Sequence, residues 1–172
     1  MKKGCNILKI NQRTLTIRLS EMKDAQQIMA LDAVVWDDNS SPEPLNWTSR
    51  EDFLRHCQPG SQLVAVVDGQ LCGYVGFRYP TMIRTNQHVF EINIAVHPQY
   101  QHEGIGTRLM EMVKAWASEQ GIKKLSLRVL SSNPAALKFY KKCGFVIEGR
   151  LVNEFHVNGR YVDDVLMGYF LN

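Results

Sequence analysis

Apolar and polar positions alternate along several short stretches of the chain, and this two-residue period predicts β-strands. Residues 14–20 alternate in this way, whereas residues 88–96 are nearly all apolar, as is typical of a central strand. Apolar stretches also flank Asp68-Gly69 and Asn158-Gly159, and each dipeptide favours a two-residue hairpin turn. With a further strand at residues 123–130, the pattern predicts seven strands.

Four helices are expected between these strands. The clearest begins near residue 105, ends at Gly121 and repeats its apolar residues at helical spacing. Asn133-Pro134 should begin another as N-cap and first helical residue, and Gly144 should end it. One shorter helix is expected after residues 20–24 and one at Ser49, with Asp52 as a capping-box partner. The order β-α-α-β-β-β-α-β-α-β-β predicts one mixed α/β domain over residues 1–172, with a largely antiparallel sheet and a parallel strand pair within residues 88–130.

Composition narrows the class of protein. The chain has 172 residues, of which 45% are hydrophobic and 22% charged, as is usual for a soluble globular domain. Its apolar runs are too short for a membrane span, and no apolar leader follows the basic start, so we expect a cytoplasmic protein. Four scattered cysteines indicate neither a disulfide framework nor a zinc site. A net charge of +3 is too small to indicate nucleic-acid binding.

The placement of charge is more informative than its total. Residues 24–49 contain five acidic residues and neither lysine nor arginine, whereas residues 123–142 contain six basic residues and no acid. The first segment would attract a cation and the second an anion. For each segment, a solvated face is the alternative.

Two glycines stand where the third predicted helix is about to begin. In "QHEGIGTRLM", residues 101–110, Gly104 and Gly106 separate a strand from a helix. Such a turn can bind phosphate, because the first N–H groups of a helix lack an intrahelical partner and carry partial positive charge. The P-loop pattern is absent, and Leu109 stands where a dinucleotide fingerprint needs a third glycine. A tight turn without a ligand is the alternative.

The wider context closely resembles the GNAT superfamily of acetyl-CoA-dependent N-acetyltransferases. The family pattern [RQ]-x-x-G-x-[GA] after V-x-P is matched by "VHPQYQHEGIG", which begins at Val96. The second pattern, N-x-x-A-x-x-x-Y-x-x-x-G-F, is matched from Asn133 to Phe145. The resemblance implies an α/β GNAT fold: a central, mostly antiparallel seven-stranded sheet, helices on both faces, and a splayed parallel strand pair at the cofactor site. The C-terminal region is similar to the branch with ribosomal-protein and small-amine acetyltransferases.

The resemblance also implies a set of cofactor-binding residues. Acetyl-CoA would be the co-substrate, with no metal. Backbone amides of the turn would bind its diphosphate, the end of the central strand would pair with its pantetheine arm, and the N-cap asparagine would also contact that arm. The residues concerned are Ile94, Ala95, Val96, Gln101, His102, Glu103, Gly104, Ile105, Gly106, Thr107, Asn133, Ala136 and Tyr140. Lys141 or Lys142 could meet the ribose phosphate or simply lie on a solvated face.

The chain departs from the family at His102 and Glu103, where many members have basic residues or glycine. An acid beside a diphosphate should weaken cofactor binding, unless Glu103 points away or pairs with Arg108 or a lysine. A protonated His102 could offset the acid.

The resemblance implies a general acid but leaves the general base open. Tyr140 matches the family position of the acid that protonates the departing thiolate, with core packing as the alternative. Glu91 on the central strand is a candidate base, and a salt-bridged or solvated glutamate is the alternative. His97 and Glu154 are weaker candidates, and a water chain could serve instead. Arg128 stands where the ribosomal-protein enzymes have an implicated glutamate, which argues against that chemistry.

The resemblance does not specify which amine accepts the acetyl group. Acidic segment 24–49 falls where GNAT proteins place acceptor-side elements, with Trp36 and Trp47 as candidate walls and Asp163 and Asp164 as further partners for a cation. We expect a small-molecule amine as acceptor, with a protein N-terminus or lysine as the alternative and a non-catalytic CoA-binding sensor as an alternative of another class. Nucleic-acid and membrane partners are not expected. The edge of the C-terminal hairpin could pair with a second copy in a homodimer.

Overall fold

The computed structural model describes residues 6–10, 13–43 and 45–171 of the chain. Its strands are β1 (Asn6–Ile10), β2 (Arg13–Leu19), β3 (Gln62–Val67), β4 (Gln70–Arg78), β5 (Val89–Val96), β6 (Lys124–Leu130), β7 (Val146–Val157) and β8 (Arg160–Phe170). Its α-helices are α1 (Ala25–Val35), α2 (Arg50–His56), α3 (Ile105–Glu119) and α4 (Pro134–Lys142).

The strands form one mixed sheet with the order β1-β2-β3-β4-β5-β6-β8-β7. This confirms the α/β fold class and the predicted alternation of elements. The sheet has eight strands rather than seven, because Asn6–Ile10 forms an additional strand that pairs antiparallel with β2. This strand was not among those that the sequence pattern predicted.

The predicted turns and caps are present. Asp68 and Gly69 between β3 and β4, and Asn158 and Gly159 between β7 and β8, all have positive φ, as a two-residue hairpin turn of the type I′ family requires. The side chain of Ser49 accepts a hydrogen bond from the Asp52 amide at 3.1 Å, which satisfies a donor in the first turn of α2. These turns and caps depend on the backbone conformations and hydrogen bonds of a few consecutive residues, so they can be predicted from the sequence.

The chain forms two compact units. The first consists of Met1–Val35, Leu45–Phe77 and Ile94–Val113, and the second of Trp36–Pro44, Arg78–Asn93 and Lys114–Asn172. The core of the first unit includes Leu15, Ile28, Phe53, Val64 and Leu109, all almost fully buried. The core of the second unit includes Ala117, Leu125, Phe145, Val165 and Met167.

The predicted parallel strand pair is formed by β5 and β6. The register pairs Val89 with Lys124, Phe90 with Leu125 and Glu91 with Ser126. Both strands continue past these pairs, β5 to Val96 and β6 to Leu130. The parallel ladder therefore covers only the first part of each strand.

Candidate active site

The first unit contains the turn that joins the end of β5 to α3. The His97 amide donates to the Cys72 carbonyl at 2.8 Å, so the chain remains bonded to β4 just beyond β5. Pro98–Tyr100 then forms a short 3-10 turn. The Gln101 side-chain amide donates to the Val96 carbonyl at 3.2 Å and links the start of the turn to the strand.

The backbone of this turn presents a row of N–H groups. His102 and Gly104 have φ values of 65° and 82°, in the left-handed region, while Gly106 is already the second residue of α3. Within the described residues, the amides of residues 102–107 make no hydrogen bond, and the first helical bond here runs from Arg108 N–H to the Gly104 carbonyl at 3.1 Å. Successive N–H groups in such conformations form a concave anion-binding surface, and the helix dipole favours negative charge there.

Gly104 keeps this surface open. A Cβ atom built at this position would meet nothing within 4 Å, so the space beside the turn is empty. The φ of 82° would strain any side-chain-bearing residue, which is a sufficient physical reason for glycine. The positive φ therefore accounts for the glycine at position 104, while the binding role of the turn stays a prediction.

Gly73 of β4 lies against the end of β5. A Cβ atom at Gly73 would lie 2.8 Å from the Ala95 carbonyl oxygen and 3.4 Å from Val96 Cγ2. The register of β3 and β4 shifts between Ala65 and Val66, so Cys72 is an extra residue in β4. A β-bulge at Cys72 and a close backbone approach at Gly73 are therefore both present in this part of β4.

Glu103 is ion-paired with a residue that sequence reasoning missed. Its Oε2 accepts a hydrogen bond from Arg13 Nη2 at 2.6 Å, and the Arg13 guanidinium also lies 5.6 Å from the centroid of the Tyr100 ring. The sequence had indicated Arg108 or a lysine as the possible partner of Glu103. The structure shows that the partner is Arg13 instead. Arg13 precedes Glu103 by 90 positions, and only the fold brings them together.

Helix α4 of the second unit carries the matched positions of the second motif. The Asn133 side chain accepts from the Ala136 amide at 3.0 Å, and Pro134 is the first helical residue, so the predicted N-cap is confirmed. Tyr140 is 8% exposed, and within the described residues its hydroxyl makes no hydrogen bond. Burial, with a smaller contribution from Cys143, raises the pKa of the Tyr140 hydroxyl. The phenol therefore stays protonated throughout the physiological pH range.

Glu91 forms an ion pair in the second unit. Arg78 Nη2 donates to Glu91 Oε1 at 2.5 Å, and the side chains are 77% and 25% exposed respectively. This ion pair corresponds to the salt-bridged alternative that the sequence left open for Glu91. The role of Glu91 as a general base stays a prediction.

The acidic segment 24–49 is not a uniformly solvated face. Asp24 is 2% exposed and accepts two hydrogen bonds from Arg18, at 2.7 and 2.9 Å. Burial alone would raise the pKa of Asp24, but the bonds from Arg18 and from the Glu21 amide outweigh it and lower the pKa. Asp32 is also 2% exposed and accepts from the Tyr74 hydroxyl at 2.6 Å and from Trp47 Nε1 at 2.7 Å. The carboxylates of Asp24 and Asp32 are therefore buried hydrogen-bond acceptors within the first unit.

Two acids of β8 are ion-paired as well. Asp164 is 1% exposed and accepts from Arg128 Nε at 2.5 Å. Asp163 accepts from Arg150 Nη1 at 2.9 Å and from the Asn153 amide at 2.9 Å, and these bonds lower its pKa. Both carboxylates thus have cationic partners within the protein.

Comparison with protein families identifies the chain. The model of the Acetyltransferase (GNAT) family matches residues 25–145, which include the β5-to-α3 turn and the whole of α4. The chain belongs to this GNAT family. It is therefore an acyltransferase of the N-acetyltransferase class.

Curated relatives of this acetyltransferase act on different amines. The L-amino acid N-acetyltransferase AaaT of Escherichia coli (strain K12) is 31% identical over 158 residues, which cover 89% of this chain and 96% of the relative. The spermidine N(1)-acetyltransferase of Vibrio cholerae serotype O1 is 38% identical over 114 residues, which cover 66% of each chain. An N-alpha-acetyltransferase of Sulfurisphaera tokodaii is 30% identical and covers 83% of this chain and 86% of its own.

Solved structures show the same fold. The protein smu.2055 from Streptococcus mutans UA159 superposes with a TM-score of 0.84 at 29% identity, covering 91% of this chain and 99% of that chain. The protein yncA from Salmonella typhimurium, solved with its cofactor acetyl-CoA, superposes with a TM-score of 0.76 at 22% identity, covering 92% and 94%.

Two further features are absent from residues 6–10, 13–43 and 45–171. No group of three or more His, Cys, Asp or Glu side chains is arranged there to hold a metal ion. No helix in this part of the chain has the length and apolar character needed to cross a membrane.

Proposed function

We propose that this acetyltransferase moves the acetyl group of acetyl-CoA to a primary amine of a small molecule, by direct transfer in a ternary complex. The row of unpartnered amides at residues 102–107 carries the proposal, because it gives a family member a surface complementary to the diphosphate of coenzyme A.

Within this proposal, the turn and the end of β5 bind the cofactor. The amides of residues 102–107 receive the diphosphate, and the open space at Gly104 lets the anion approach closely. The Gln101 amide is not among these donors, because it donates to the Pro98 carbonyl at 3.3 Å. The backbone of Ile94, Ala95 and Val96, which lies past the parallel ladder with β6, pairs with the peptide-like pantetheine arm. An amide of the same segment donates to the thioester oxygen as negative charge develops on it.

The Tyr140 hydroxyl is proposed to protonate the departing thiolate. A general acid must hold its proton until the transition state, and the raised pKa of this buried phenol keeps it protonated. Its hydroxyl makes no hydrogen bond to the described residues and is therefore not committed elsewhere. Asn133 caps α4 and so sets the position from which Tyr140 projects.

Glu91 is the proposed base, acting directly or through water on the substrate ammonium. Its carboxylate is 25% exposed and hydrogen-bonded to Arg78, which orients it. The loss of a proton is required because an ammonium group has no lone pair for attack on the thioester. A chain of water molecules is the alternative to a single base.

The acceptor is proposed to be an amino acid, a polyamine or an amine antibiotic. The AaaT relative, named for L-amino acids, is matched over 96% of its length, whereas the spermidine enzyme is matched over 66%. An amino acid is therefore the first acceptor to test. The N-alpha-acetyltransferase relative favours a second candidate, the N-terminus of a protein.

The primary experiment is a thiol-release assay with acetyl-CoA over amino acids, polyamines, aminoglycosides and N-terminal peptides. Turnover of a free amine with kcat/KM well above that of every peptide supports the proposal, and the reverse order supports the second candidate. Initial rates at varied concentrations of both substrates should give intersecting double-reciprocal lines. Parallel lines would show a covalent acetyl-enzyme and would contradict direct transfer.

The role of Tyr140 is tested with Tyr140→Phe, and Tyr161→Phe is the matched control because that tyrosine is 69% exposed. Both variants lose one hydroxyl oxygen. We expect kcat to fall about 10²- to 10⁴-fold in Tyr140→Phe, the range for one general acid, and to stay within about twofold in the control. Equal kcat values for the two variants would remove Tyr140 from the mechanism.

The role of Glu91 is tested with Glu91→Gln, and Arg78→Gln is the matched control, because either change breaks the same ion pair. Loss of a base should reduce kcat only in Glu91→Gln, by about 10²-fold or more. Similar small losses in both variants would assign Glu91 to structure alone and favour the water chain.

The remaining parts of the proposal concern the location, the macromolecular partners and the oligomeric state of the enzyme. We propose a cytoplasmic location, consistent with a Cys72 thiol that is fully buried and hydrogen-bonded to the Ala65 carbonyl at 3.3 Å. Neither nucleic acid nor a membrane takes part. A homodimer through the edge of β7 stays a prediction, which light scattering can check.

A further inference from the structure

We propose that Arg13 is a positioning residue that cancels the charge of Glu103 and thereby allows an acidic residue within the diphosphate-binding turn. This inference rests on the proposed function, because it assigns the diphosphate of coenzyme A to that turn.

The turn contains an electrostatic conflict. Glu103 lies between His102 and Gly104, in the middle of the amides that would receive a doubly charged diphosphate. Its carboxylate is 23% exposed, so water screens it only in part. Left alone, this negative charge would repel the cofactor.

The Arg13 side chain resolves the conflict from a strand remote in sequence. Its Nη2 lies 2.6 Å from Glu103 Oε2, a short charge-assisted hydrogen bond. Its guanidinium also lies against the Tyr100 ring, with 5.6 Å to the centroid. One side chain therefore holds both the 3-10 turn that precedes the binding surface and the acid within it.

The backbone of Arg13 is itself fixed. Arg13 begins β2 and is paired with Ile10 of β1, and the ladder of β2 with β3 starts two residues later at Leu15. The guanidinium therefore extends from an ordered sheet toward Glu103. The additional strand β1 thus supports the residue that neutralises the turn.

The charge at this place can be varied in steps with four proteins. Wild type has a neutral Arg13–Glu103 pair, Arg13→Gln leaves one negative charge, Glu103→Gln leaves one positive charge, and the double variant is neutral again. We expect the Kd for coenzyme A, measured by calorimetry, to rise on the order of tenfold in Arg13→Gln and to fall severalfold in Glu103→Gln. The double variant should return to within about twofold of wild type. Arg55→Gln, which breaks an exposed ion pair with Asp52, is the control and should bind as wild type does.

Two further measurements separate positioning from a general structural role. Raised salt should shrink the difference between Arg13→Gln and wild type, because screening weakens the repulsion. In turnover, Arg13→Gln should raise the KM for acetyl-CoA without lowering kcat, and it should leave the KM for S-acetylpantetheine unchanged, because that donor has no diphosphate. Thermal unfolding of each variant shows that the protein is folded.

The outcomes are distinct. A double variant that binds as weakly as Arg13→Gln would overturn the inference, because Arg13 would then contact the cofactor directly or act only on folding. Equal Kd values for Arg13→Gln and wild type would overturn it as well. Wild-type protein that takes up no coenzyme A at millimolar concentration would instead refute the proposed function, before any variant is compared.

Discussion

Substitution of Gly73 by alanine should disturb the end of β5, where the cofactor arm is proposed to pair. The added Cβ atom would lie 2.8 Å from the Ala95 carbonyl oxygen, 3.3 Å from Leu109 Cδ1 and 3.4 Å from Val96 Cγ2. The leucine methyl can move by a rotamer change, but the carbonyl oxygen belongs to the backbone of a central strand. The strand itself must therefore shift by several tenths of an ångström.

The magnitude follows from two opposing effects. Forcing one extra methyl group into a packed interior costs about 1–3 kcal/mol. Alanine also restricts the unfolded chain, which returns about 0.4–1 kcal/mol. We therefore expect the free energy of unfolding to fall by about 1–2 kcal/mol and the KM for acetyl-CoA to rise, because the atoms of Ala95 and Val96 are displaced.

The assay is urea denaturation together with initial rates at varied acetyl-CoA, and Gly149→Ala is the matched control. Gly149 also lies in a β-strand, but a Cβ atom there would make an ordinary contact of 3.6 Å with Leu166 Cδ1. The control should be neutral or slightly more stable. If Gly73→Ala matched Gly149→Ala in both stability and KM, the close backbone approach would not be the reason for glycine at position 73.

The remaining predictions concern buried polar groups. Asp32→Asn should lower the free energy of unfolding by about 1–3 kcal/mol, because an amide N–H₂ would face a donor such as Trp47 Nε1. Denaturation followed by tryptophan fluorescence checks this prediction, and an unchanged midpoint would contradict it. Arg128→Met should cost about 3 kcal/mol by leaving the buried Asp164 carboxylate uncompensated, and adding Asp164→Asn should recover most of the loss; a double variant as unstable as the single one would refute this. Burial raises the pKa of the Cys72 thiol from its usual 9.0 to about 12, so the thiol is neutral at pH 8 and iodoacetamide should alkylate it far more slowly in folded than in urea-unfolded protein, as peptide mass spectrometry can show. Because the folded state keeps this proton up to a higher pH than the unfolded state, the thiol's contribution to stability is complete below about pH 9 and is lost as pH rises toward 12. If the free energy of unfolding of Cys72→Ala fell equally over this pH range, the loss could not be assigned to Cys72.

Features that depend on neighbouring residues were predictable from the sequence. The Asp68-Gly69 and Asn158-Gly159 turns and the Asn133 cap all formed as expected. Each reflects the conformational range or hydrogen-bonding capacity of a few consecutive residues. The two motifs also identified the family, because the β5-to-α3 turn and the helix that carries Tyr140 are each continuous in the chain.

Features that depend on remote pairs were decided only by the tertiary structure. The sequence placed an acid in the β5-to-α3 turn at Glu103, but its partner Arg13 lies 90 positions earlier and carries no local signal. Asp32 similarly looked like one of several exposed acids until Tyr74 and Trp47 were brought around it. A residue's type sets what charge it carries and which hydrogen bonds it can make. The fold determines whether that capacity is met by a partner, by solvent or by a ligand, because the pairing of distant side chains depends on how the strands and helices pack.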